Sequence, residues 1–74
     1  MQTYYFTFGQ QHVHPETGEK MRNYWVEIFA ANSEEARITM FNIYGAKWSF
    51  QYTQDDFKPE YFPSGCYEKI IHPA

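Results

Sequence analysis

The sequence predicts an α+β domain: a two-layer ββαβ(β) sandwich, an antiparallel sheet with one helix packed on one face. Three observations predict it. One stretch, Asn32 to Gly45, carries both a helix start and a helix stop around an apolar stripe. Segments of alternating aromatic and polar residues flank that stretch on both sides. With 74 residues, the chain has material for one core and no more. Residues 1–74 are therefore expected to form a single domain, without repeats or a linker.

Taken in order, Thr3 to Gln10 reads as the first strand, with Tyr4, Phe6 and Phe8 on one face and Thr3, Tyr5 and Thr7 on the other. Gln11 to Lys20 is polar, and its Pro15 and Gly18 mark the turn of a long hairpin. Asn23 to Ala30 is the second strand: Tyr24, Val26 and Ile28 share one face, and Trp25, Glu27 and Phe29 the other.

The helix follows. Asn32 or Ser33 caps it, Glu35 stands three residues after Asn32 as in a capping box, and Glu34 and Glu35 complement the helix dipole. Gly45 supplies the stop, and Ala36, Met40, Ile43 and Tyr44 form the buried stripe, with Phe41 beside it. Lys47 to Thr53 is the third strand, expected beside the first and antiparallel to it. Its Trp48, Phe50 and Tyr52 are assigned to the helix side, and Ser49, Gln51 and Thr53 to the opposite side. Residues 57–74 read as a loop with a proline and a short edge strand over Cys66 to Ile71, fraying at His72-Pro73-Ala74.

Composition excludes several functions. The single cysteine, Cys66, allows no internal disulfide framework, no secretory leader is recognisable, and no apolar run has the length of a membrane span. A cytoplasmic protein without membrane contact is expected. Net charge is −3 and the six basic residues are scattered, which argues against an extended nucleic-acid track.

Candidate chemistry is sparse. His12 and His14 two apart, with Glu16 and with the distant Cys66 and His72 to complete the set, form a metal-ligand pattern without any established spacing. Solvated loop histidines are the more frequent outcome of such a pattern. Cys66 has no base tied to it by a motif, Asp55-Asp56 is an adjacent pair in a loop, and no glycine-rich phosphate loop exists. Neither catalysis nor a cofactor is expected.

The outlier is aromatic content: seven Phe, seven Tyr and two Trp. One sheet face against the helix absorbs about half of them on the two-layer argument. Tyr5, Trp25 and Phe29 remain on the other face among polar neighbours, a composition suited to an interface or a stacking platform. On one expectation, Phe57, Tyr61 and Phe62 fold back and cover this face. On another, the chain forms a homo-oligomer through it. On a third, it binds a nucleotide-like ligand: Tyr5, Trp25 and Phe29 stack, Lys20 and Arg22 meet phosphate, and Gln51 or Glu27 hydrogen-bonds the base or ribose.

The run from Glu34-Glu35-Ala36-Arg37 to Tyr44-Gly45-Ala46-Lys47-Trp48-Ser49-Phe50-Gln51-Tyr52, after the opening Tyr4-Tyr5-Phe6-Thr7-Phe8-Gly9, resembles small open reading frames of phages and prophages. The resemblance covers most of the chain but carries no site motif. It implies a counter-defence factor acting in the cytoplasm of an infected bacterial host. One form would be a non-enzymatic sponge that sequesters a nucleotide-like immune signal. Another would be a protein–protein inhibitor of a host defence protein such as a CRISPR nuclease. A structural or accessory phage protein is the third.

Overall fold

The helix begins where the sequence places its cap. In the computed structural model, which describes residues 1–71, α1 spans Ser33–Tyr44. The Asn32 side-chain oxygen accepts a hydrogen bond from the Glu35 N–H at 2.9 Å. Such a cap stabilises a helix by about 1 kcal/mol. At the other end Gly45 turns to φ 62°, a backbone region open to glycine at little cost, and its N–H donates to the Phe41 carbonyl. The expectations placed on residues 72–74, including His72 as a ligand, lie outside the described residues.

Four strands form the second layer: β1 (Gln2–Thr7), β2 (Tyr24–Ala30), β3 (Phe50–Thr53) and β4 (Gly65–Ile71), in the order β3-β1-β2-β4. β1 pairs antiparallel with both β2 and β3, as the sequence predicts. β4 corrects the expectation of an antiparallel sheet, because it runs parallel to β2 and makes the sheet mixed. The connection from β3, at one edge, must cross the sheet to reach the other edge, and it delivers β4 in the β2 direction. A parallel pair needs such a long crossover.

The core lies between the sheet and α1: Tyr4, Phe6, Phe8, Met21, Val26, Ile28, Ala30, Ala36, Met40 and Tyr44, with Trp48, Tyr24, Tyr67 and Ile70 packed against it. Met21 is fully buried although its neighbours Lys20 and Arg22 are exposed, so local polarity conceals it in the sequence. On α1, Thr39 is buried while Ile43 is 41 % exposed, which corrects the expected stripe. The Tyr44 ring takes the adjoining space, edge-on to Phe8 and His14.

The larger correction concerns β3. Thr7 pairs with Phe50 and Tyr5 with Tyr52, so Phe50 and Tyr52 lie on the face away from the helix, and Gln51 lies on the helix side. Trp48 still packs on the core, edge-on to Phe6 at 5.1 Å. It precedes the ladder, and strand alternation holds only within a ladder. Ser49 makes the transition: its N–H donates to the Thr7 carbonyl and its hydroxyl to the Phe8 carbonyl. Gly9 allows that approach, since a Cβ there would stand 2.7 Å from the Ser49 Oγ.

Tyr44 ties the layers together at one end. Its hydroxyl donates to the Glu68 Oε1 on β4. Burial first, and then the Glu68 carboxylate, hold that hydroxyl protonated well above its ordinary pKa of 10.0. The folded pKa is raised, so the stabilisation is complete below the unfolded pKa and is lost as pH rises above about 10. Denaturant titrations at successive alkaline pH values should show the wild type losing stability more steeply than Tyr44→Phe. Parallel decline of the two would sink the assignment.

Candidate functional site

On the face away from α1, the segment between β3 and β4 crosses the sheet and lays an aromatic ring on it. Phe57 stacks on Tyr5 with ring centroids 4.4 Å apart and planes 5° from parallel. It stacks on its other partner, Phe62, at 5.5 Å and 16°. Trp25 and Tyr52 approach the same ring at 5.2 and 5.9 Å. Offset stacking and edge contacts are the arrangements that the aromatic quadrupole favours.

The segment is built from local turns. The N–H groups of Asp56 and Phe57 donate to the Thr53 carbonyl, and those of Tyr61 and Phe62 donate across the short 3₁₀ turn Pro59–Tyr61. Ser64 N–H to the Asn23 carbonyl anchors it just before β4. Phe57 is half-buried and Phe62 likewise, whereas Tyr61 points outward at 69 % exposure. No ring contact of Tyr61 occurs among the described residues.

These rings leave a cleft of about 260 Å³, walled by Tyr52, Phe57, Tyr61 and Phe62 and edged by Asp56 and Lys58. The Thr53 hydroxyl donates to the Asp56 Oδ2 at 3.1 Å and fixes the carboxylate at the rim. Sequence reasoning treated this segment only as a cover. The available signal was five aromatic or charged residues in six positions, Phe57, Lys58, Glu60, Tyr61 and Phe62, next to Asp56.

Of the residues expected to form a binding set, Tyr5, Trp25 and Glu27 are brought together on one face, and the others are dispersed. Tyr5 and Trp25 lie beneath Phe57. The Trp25 Nε1–H donates to Glu27 Oε2 at 3.0 Å. Glu27 and Phe29 line a separate cleft of about 250 Å³ with Thr3, Lys69 and Ile71. Gln51, on the helix side, accepts from Arg37 Nε and donates to the Ser33 carbonyl, so it is removed from the aromatic face. Lys20 and Arg22 are exposed in the hairpin before β2, where Lys20 bridges to Val13, and neither lines the clefts on the aromatic face.

The metal pattern dissolves into a turn. His14 Nδ1 accepts from the N–H groups of Glu16 and Thr17, and its ring packs on Tyr44 and Tyr67. Among the described residues no three His, Cys, Asp or Glu side chains converge on a common point. Burial, then the Glu27 carboxylate, pushes the Cys66 thiol above its ordinary pKa, which keeps it protonated rather than nucleophilic. Among the described residues no helix is long and apolar enough to cross a membrane. Neither a protein-family model, nor a curated protein, nor a solved structure matches the chain, so its own cleft and surfaces are the basis for a functional reading.

Proposed function

We propose that the protein is a non-enzymatic binding protein that sequesters a planar, nucleotide-like ligand, as a phage counter-defence sponge would. One observation carries the reading: the exposed ring of Tyr61 and the stacked rings of Phe57 and Phe62 line one cleft together with Lys58. A base entering there stacks on rings that are already ordered, and each stacked base contributes about 1–3 kcal/mol. The ligand-contacting residues are then Tyr52, Phe57, Tyr61 and Phe62, in place of Tyr5, Trp25 and Phe29.

A panel of nucleoside monophosphates titrated by calorimetry, or by Trp25 fluorescence, tests the reading. Saturable binding is expected, with Kd between about 10 μM and 1 mM for one stacked base and a few polar contacts. Tyr61→Ala should weaken it roughly tenfold without altering the melting temperature, since the ring is mostly exposed. Heat signals that never saturate with any nucleotide would discard it.

A second reading, a direct inhibitor of a bacterial defence protein, draws on Phe29, Phe50 and Ile71, which are exposed on the same face at 40, 56 and 76 %. Exposed rings and aliphatics of this kind act as interface anchors. That reading gains if nucleotides fail and a stoichiometric complex with a purified CRISPR effector forms instead.

A further inference from the structure

We infer that the cleft selects a guanine ring carrying a phosphate; this rests on the nucleotide-binding reading above and sharpens it. The charged equipment is one carboxylate and one ammonium, beside the phenol hydroxyls of Tyr52 and Tyr61. Asp56 is oriented through Oδ2 by the Thr53 hydroxyl, and its Oδ1 accepts from no described residue. Lys58 stands two residues further along the same rim.

A carboxylate only accepts hydrogen bonds, so the ring edge that meets it must be made of donors. Guanine alone among the common bases presents two adjacent donors, N1–H and the N2 amino group, spaced to meet the two oxygens of a carboxylate in parallel. Adenine and cytosine each set one donor beside a ring-nitrogen acceptor, which would face the second oxygen unfavourably. Uracil flanks its single N–H with two carbonyl oxygens, and both repel a carboxylate.

The aromatic walls accept any base on its faces, so stacking supplies affinity and Asp56 supplies the choice. The ammonium of Lys58 supplies a point charge for the phosphate. The size agrees with one such ring: about 260 Å³ lies below the usual range of small-molecule pockets and leaves the sugar and phosphate at the rim.

The test is a calorimetric comparison of GMP, IMP, AMP, CMP and UMP at one salt concentration, with guanosine as the uncharged control. GMP should bind roughly tenfold more tightly than AMP, the discrimination expected of a bidentate pair, and IMP, which lacks the amino group, should fall between them. Asp56→Asn keeps the bond from Thr53 but replaces one acceptor by a donor, and should bring GMP to the level of AMP. Lys58→Gln should weaken GMP while leaving guanosine unchanged. Circular dichroism checks that both variants fold. Equal binding of all five nucleotides, or selectivity that survives in Asp56→Asn, overturns the guanine assignment and leaves nucleotide binding standing. Absence of binding by every nucleotide overturns the underlying reading as well.

Discussion

Phe6→Ala should remove about 3–5 kcal/mol of folding stability, measured by urea denaturation. Phe6 has no exposed surface, pairs with β2 on one side and β3 on the other, and meets Trp48 edge-on. Its truncation forfeits the transfer free energy of the ring and leaves a cavity that a rigid pairing with Val26 and Gln51 on either side prevents from closing. A domain of this length has a total stability of about 4–11 kcal/mol. The variant should therefore be partly unfolded at room temperature, or melt at least about 12 °C below the wild type. A loss under about 1 kcal/mol would mean that the ring is not the centre of the core.

Phe57→Ala should cost about 2–3 kcal/mol, less than Phe6 because the ring is only half-buried, and more than a loop residue should. Two stacked partners, one edge contact and one tilted contact are lost at once. Phe57→Leu separates the causes: it restores most of the apolar area but not the stacking geometry, and should recover all but about 1 kcal/mol. Both variants should change the near-ultraviolet circular dichroism, since Tyr5, Trp25 and Tyr52 all contact the ring. Nucleotide binding should fall in Phe57→Ala together with stability, whereas in Tyr61→Ala it should fall alone. If Phe57→Ala is as stable as the wild type, the segment does not hold to the sheet in solution.

The helix was legible because its signals are local. Asn32 and Gly45 act through bonds spanning three or four residues, and each acts as the sequence implies. The β1–β2 and β1–β3 pairings were legible from alternation and the order of the elements. The face of β3 was not. Alternation assigns relative faces along a ladder, and it fails when the reference residue lies outside the ladder, as Trp48 does. That single shift moved Phe50 and Tyr52 onto the far face, and took Gln51 out of the expected site.

The candidate site was less legible than the fold. Tyr5, Trp25 and Glu27 do share a face, as β1 and β2 alternation requires. Which ring lies on which depends on the path of residues 54–64, and no periodic signal encodes that path. The direction of β4 escaped for the same reason. Both follow from a connection whose only sequence marks are a proline, isolated aromatics and a turn at Pro63-Ser64-Gly65.

The crossing of the sheet by this connection bears on the order of events during folding. β1 and β2 join through one hairpin, α1 follows β2 directly, and β3 returns to β1 from beyond α1. β4 pairs parallel with β2 only after the connection from β3 has crossed the sheet, and non-local contacts of that kind form late because their loop entropy must be met first. The cleft walls lie on the very stretch whose far end β4 secures. A chain that has folded everything except its last strand therefore has a core but no binding site, and ligand capture reports that the final strand has docked. A stopped-flow refolding experiment would follow this as a binding signal that lags behind the burial of Trp48.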